Sequence, residues 1–133
     1  MIWALFALFI LLAGFATYVR LAPHDPARWQ LSGPVAAVGD HAEAGGFTAA
    51  RAFDGELEDV AAVLLATPRT RELGTWDGQR LYVTRSALWG FSDYTTVRVE
   101  DGQLEIYGRL RFGKSDLGVN QARICGWLAD LNL

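Results

Sequence analysis

The sequence predicts an α+β protein. An N-terminal transmembrane helix precedes a two-layer domain in which two helices cover one face of a mainly antiparallel sheet. Four strands are expected, or five if Phe47–Phe53 joins them. Three observations carry this reading. An uncharged apolar run, Ile2–Val19, opens the chain. Two Asp-Gly pairs, Asp77-Gly78 and Asp101-Gly102, each lie between β-rich runs. Asp-Gly in that setting is the strongest short-range hairpin signal, because both residues tolerate positive φ. Segments of helical period then flank the strands, a segregation that favours α+β over a parallel α/β sheet.

The apolar run is taken as an uncleaved anchor over residues 1–22. Eighteen helical residues reach ~27 Å, close to the hydrocarbon core of a bilayer. A cleaved leader requires a basic flank ahead of the apolar stretch and a small-x-small cleavage site after it. No Lys or Arg precedes Arg20, and Gly14-Phe15-Ala16 lies inside the run. A core helix would be amphipathic, whereas this one is apolar all round. Arg20 and Arg28 follow the helix. By the positive-inside bias that pair favours a cytoplasmic domain, but two residues leave the side open.

Residues 23–46 read as a linker packed on the domain. They hold Pro23, Pro26 and Pro34 and no apolar period. Trp29 is costly to leave in water and is expected to fasten the linker to the globular part, residues 47–133. Asp54 is expected to cap a helix with Leu57, Val60, Ala61 and Leu64 on its buried stripe, ended by Thr67-Pro68.

The strands follow. Around Asp101-Gly102 a two-residue loop pairs Glu100 with Gln103. Val99 then faces Leu104, Val97 faces Ile106 and Thr95 faces Gly108 on the apolar side. Arg98 faces Glu105, Thr96 faces Tyr107 and Tyr94 faces Arg109 on the other. Around Asp77-Gly78 the flanks do not alternate cleanly. The last helix is expected from about Asp116 to Leu131, with Leu117, Ile124, Leu128 and Leu131 on its core stripe. Gly118, Ala122, Gly126 and Ala129 fall on its opposite face. Cys125, the single cysteine, is expected as a half-buried structural thiol.

Two candidate sites emerge. The first is a polar cluster of Arg109, Arg111, Lys114, Ser115, Asp116, Asn120 and Arg123, built around "GKSDLGVNQAR". Asp116 or Ser115 can start the helix by accepting from its free amides. Asp116, Asn120 and Arg123 share one side of the helix. The structural reading ties helix to sheet through Arg109 or Arg111. The functional reading brings the basic side chains together at the helix start as a site for an anion or polar ligand. The second site is a binding face of Tyr94, Arg98 and Tyr107 on the side of the sheet without helices, Tyr and Arg being enriched at interfaces.

Catalytic residues are not assigned. Asp93, Ser115 and Asp116 carry the enzyme alternative, a small hydrolase-like or polar-ligand-binding activity resting on two nearby carboxylates. His24 and His41 lie in the linker without a third ligand at fixed spacing, so neither metal nor cofactor is expected. Setting Arg20 aside leaves 11 basic residues against 15 acidic ones, a balance that argues against nucleic acid.

The pattern Arg109-x-Arg111, Gly113-x-Ser115-Asp116-x-Gly118-x-Asn120-x-x-Arg123 resembles the domain-of-unknown-function (DUF) family numbered 1499. "TPRTREL" (67–73) and "TRSALWGFSDYTTVRVE" (84–100) fit the same layout, and the resemblance spans roughly residues 54–131. Tyr94 stands where many relatives have a second acid after Asp93, and Gln121 where many have Arg. The resemblance implies a bacterial protein, often with an N-terminal signal or membrane segment, and no established activity. The expected function is a non-catalytic binding or assembly module at the bacterial inner membrane, with the bilayer and a protein as its partners.

Overall fold

Six strands, rather than four or five, form one antiparallel sheet in the computed structural model, which describes residues 1–133. Helix α1 spans Ile2–Leu21, and a short 3₁₀ turn follows at Pro26–Trp29. Strands β1 (Gly39–Glu43) and β2 (Gly46–Ala52) precede helix α2 (Leu57–Leu65). Then come β3 (Thr70–Trp76), β4 (Gln79–Arg85), β5 (Ser92–Glu100), β6 (Gln103–Leu110) and helix α3 (Val119–Asp130). The strand order is β1-β2-β6-β5-β4-β3.

The added strand is β1, which falls in the stretch read as linker. "GDHAE" has no apolar alternation, and four of its five residues are exposed. A charged, solvent-facing strand is what a sheet edge needs to resist pairing with another chain, and it erases the pattern by which strands are recognised. The second hairpin keeps the expected register throughout, from Glu100↔Gln103 to Asp93↔Leu110. The first is irregular because the pairing shifts between Glu72 and Gly74. Trp76 lies over Gly74, where a Cβ would come within 2.5 Å of the indole. That close approach requires a glycine there.

Helices α2 and α3 pack on the apolar sheet face. Val60, Ala61 and Leu64 meet Ile124, Trp127 and Leu128 above Phe47, Ala49, Tyr82, Val97, Leu104 and Ile106. The cap of α2 is Glu56, not Asp54: Glu56 and Asp59 form a reciprocal capping box two residues further on.

Helix α3 begins at Val119 rather than Asp116. Leu117 is therefore outside it, at φ 53°, and 92% exposed, while Asn120 takes a core position with 0% exposure. Gly108 makes room for it: a Cβ there would sit 2.8 Å from the Asn120 Oδ1. The face bearing Ala122, Gly126 and Ala129 is exposed, and so is Cys125, which is not half-buried.

The opposite sheet face is covered by the chain's own residues 22–35. Trp29 stacks on Tyr94 with ring centroids 4.2 Å apart. Gln79 donates to Leu31 O and accepts from Leu31 N, at 2.7 and 2.8 Å. Leu81, Val83 and Tyr94 form a second small core beneath Trp29, Leu73 and Trp76.

Candidate functional site at the junction of the apolar helix and the sheet

The residues of the polar cluster divide between the two faces of the sheet. Leu110 alternates with Arg109 and Arg111, so both arginines point to the side of residues 22–35. Arg109 lies between Trp29 and Tyr107, 5.2 and 4.3 Å from the ring centroids, and donates to Trp29 O. Burial pulls its pKa down to about 10, Tyr107 and Glu43 opposing. Arg111 donates to the Tyr94 hydroxyl at 3.0 Å and to Ala22 O at 3.3 Å. Neither joins helix α3 to the sheet, and the two do not converge with Lys114 and Arg123.

Asp93 makes the helix-to-sheet tie instead. Arg123 donates to Asp93 Oδ2 and, at 3.0 Å, to Asn120 Oδ1. Asn120 Nδ2 donates to Asp116 Oδ2 at 2.8 Å. Asp116 also accepts from the backbone amides of Gly118 and Asn120. Burial pushes the Asp116 carboxyl up, and the amides of Asn120 and Gly118 outweigh it, holding the group below its ordinary value. Burial pushes Asp93 up, with Arg123 opposing and Asp116 adding to the rise.

Asp93, Ser115 and Asp116 do line one small cavity of about 180 Å³ beside Phe91 and Phe112. Most of their polar atoms are already engaged. Asp116 accepts three hydrogen bonds, Asp93 holds Arg123, and Ser115 Oγ accepts from the Leu117 amide. Lys114 extends into solvent. In the Gly113–Arg123 motif, then, Ser115 and Asp116 shape a tight turn that ends in α3, and Leu117 is its exposed tip.

Tyr94, Arg98 and Tyr107 share the face under residues 22–35. Tyr94 is 0% exposed. Arg98 forms a buried pair with Glu105 at 2.6 Å and donates to Gly33 O and Pro34 O at 2.9 Å. Tyr107 is half-buried and donates to Glu43.

A different constellation appears where α1 meets the sheet. Arg85 reaches from the end of β4 to Arg20 O at 3.0 Å, Gly90 O at 2.9 Å and Val19 O at 3.4 Å. Val19 and Ala22 are 1% and 6% exposed. Phe15 meets Phe91 edge-on at 6.1 Å, and Tyr18 meets Phe112 at 6.3 Å. The last turns of α1 are thus packed against the loops 86–91 and 111–118.

Beside this junction lies a cavity of about 410 Å³ lined by Arg20, Arg69, Arg71 and Arg85, with Thr70 and Ser86. No carboxylate lines it, and none of the four arginines has an acidic partner within 4.0 Å. Burial lowers the Arg85 pKa, and Arg71, Arg111 and Arg20 lower it further against the opposing effect of Tyr94. His24 is lowered by burial and then by Arg71, Arg85 and Arg111, which favours its neutral form. The sequence reading missed this cavity. Its signal was present as "RTR" and "VTRS", each arginine two residues from the next or at a strand end, but nothing in a linear pattern brings Arg20 to them.

No curated protein matches the chain. A family model described as "Protein of unknown function (DUF1499)" matches residues 31–131, from the segment on the sheet's second face to the end of α3. The match takes in Arg69, Arg71 and Arg85 together with the Asp93–Arg123–Asn120–Asp116 network. On that match, covering most of the chain, the protein belongs to the DUF1499 family.

Proposed function

We propose that this chain is a single-pass protein of the bacterial inner membrane, whose α+β domain is a non-catalytic binding or assembly module held directly against the bilayer. The observation that carries the reading is the grip of Arg85 on the carbonyls of Val19 and Arg20. Val19, inside the apolar helix, is buried against the domain. A leader destined for removal has no reason to be built into the fold it leaves, whereas an anchor that positions its domain does.

The surroundings of the helix end support the same reading. Leu88 and Trp89 are 76% and 42% exposed on the loop whose Phe91 meets Phe15. Leu117 is exposed on the loop whose Phe112 meets Tyr18. Large apolar side chains with a tryptophan among them, set around the end of an apolar helix, suit the interfacial zone of a membrane. The Ser115–Asp116 turn then has a role, which is to hold Leu117 outward toward lipid.

The test is the mass and N-terminal sequence of the protein recovered from the membrane fraction after alkaline extraction. The proposal expects the full chain, beginning at or next to Met1. A soluble product starting beyond Leu21 would overturn it.

A further inference from the structure

The arginine-lined cavity is an uncompensated concentration of positive charge at a defined depth. Its four guanidinium groups come from three places in the chain: Arg20 from α1, Arg69 and Arg71 from the start of β3, and Arg85 from the end of β4. Several of their donors are spent inside the protein. Both terminal nitrogens of Arg85 are used on the Val19, Arg20 and Gly90 carbonyls and His24, and Arg69 Nε donates to Arg85 O at 3.0 Å. Arg20 donates to Leu88 O at 3.1 Å. The Arg71 side chain makes no hydrogen bond and no ion pair, and both terminal nitrogens of Arg69 are free. Two guanidinium forks with free donors, backed by two further positive charges, match a tetrahedral oxyanion. Ser86 and Thr70 also line the cavity, with Ser86 Oγ accepting from the Phe91 amide and Thr70 Oγ1 paired with Thr84 Oγ1.

Depth narrows the source of that anion. Arg20 belongs to the last turn of α1 and directly follows the uncharged run. With α1 across a bilayer, the cavity stands at the level of the headgroups and opens beside the exposed Leu88 and Trp89.

We propose that this cavity binds a phosphate group, and that its position selects the headgroup phosphate of a membrane phospholipid. This rests on the reading of α1 as a retained anchor. The bound phosphate would sit between Arg69 and Arg71, with Arg20 and Arg85 behind it, and would relieve the mutual repulsion of the four arginines. It also explains why a domain of net negative charge gathers unpaired arginines at one place on its surface.

The experiment uses the full chain in alkyl maltoside micelles, which contain no phosphate. Phosphatidylglycerol and diacylglycerol are added in equal amounts, and retained lipid is read by native mass spectrometry. Retention of phosphatidylglycerol over diacylglycerol is expected. Arg69→Gln and Arg71→Gln should each weaken it by about tenfold or more, the scale of a lost charge-assisted hydrogen bond, while Arg28→Gln, outside the cavity, should leave it unchanged. Equal retention of the two lipids, or undiminished retention in both cavity variants, would overturn the proposal. A second arm adds inorganic phosphate, against chloride at matched ionic strength, and reads thermal unfolding. A shift with phosphate alone as large as that with phosphatidylglycerol would overturn the lipid assignment. Intact protein that shows no lipid preference sinks this inference alone. Loss of residues 1–21 from the membrane form sinks the anchor reading beneath it.

Discussion

Replacing Arg85 by Gln should loosen the apolar helix from the domain without unfolding either. Arg85 makes two hydrogen bonds of good length, to Arg20 O and Gly90 O, and two longer ones to Val19 O and the His24 ring. Only the bonds to residues 19 and 20 join α1 to the sheet. A hydrogen bond from a charged donor contributes about 2 kcal/mol net, and the 3.4 Å contact to Val19 adds little. Glutamine is too short to reach and leaves the carbonyls to water. Local opening of the junction should therefore become ~30-fold more frequent. Hydrogen exchange of the full chain in maltoside micelles reads this directly, through the amides of residues 19–24. The Ala22 amide, bonded to Tyr18 O at 2.8 Å, is the most informative of them. Exchange in β5, β6 and α3 should not change. If protection of residues 19–24 in Arg85→Gln stays within about threefold of the parent, on the same conversion, Arg85 does not hold the junction and the reasoning fails.

Three further outcomes follow from the packing. Gly108→Ala should lower stability by about 1–3 kcal/mol through overpacking against Asn120 and Ile124. A simultaneous Asn120→Ala should make the pair cost less than the sum of the singles, and additivity in thermal unfolding would rule out the contact. Glu105→Ala removes the close acidic partner of the buried Arg98, leaving Glu100 at 3.6 Å and two carbonyls, and should cost about 3 kcal/mol, whereas Arg98→Met with Glu105→Leu should be milder. A double variant as unstable as the single would contradict a buried pair. Asp116→Asn probes the capping carboxylate. Its folded pKa lies below the ordinary value, so its contribution is present above that value and is lost as pH falls through the folded one. The stability gap between parent and Asp116→Asn should be widest near neutrality and close on acidification. A gap independent of pH would show that the charge is not what caps the turn.

What the sequence made legible is the part of the fold governed by local rules. The β5–β6 register was readable because Asp101-Gly102 fixes the loop and strict alternation fixes the faces. The α2 core stripe was readable from its period, and the apolar helix α1 from its length and composition. Three features lay beyond those rules. Strand β1 is a charged edge without alternation. The start of α3 was displaced because Asp116 caps by folding a tight turn through Gly118 rather than by sitting next to the helix, which moved Leu117 out of the core and Asn120 into it. The candidate sites depended on which faces residues of neighbouring number occupy. Arg109, Arg111 and Arg123 are close in sequence and end on opposite sides of the sheet. Arg20, Arg71 and Arg85 are far apart in sequence and line one cavity. Pairing of β3 with β4 sets Arg71 near Arg85, and the packing of α1 brings Arg20 to them.

The central claim is that the end of α1 and the two loops packed on it meet the lipid together. The most direct measurement places a spin label at position 117 and, separately, at position 130, in the full chain carrying Cys125→Ser and reconstituted in nanodiscs. The two positions bracket α3, whose 12 residues span ~18 Å. The account predicts that the label at 117 collides preferentially with oxygen dissolved in lipid and is shielded from a water-soluble nickel relaxant, while the label at 130 behaves as a solvent site. Equal access of the nickel complex to both positions would contradict it.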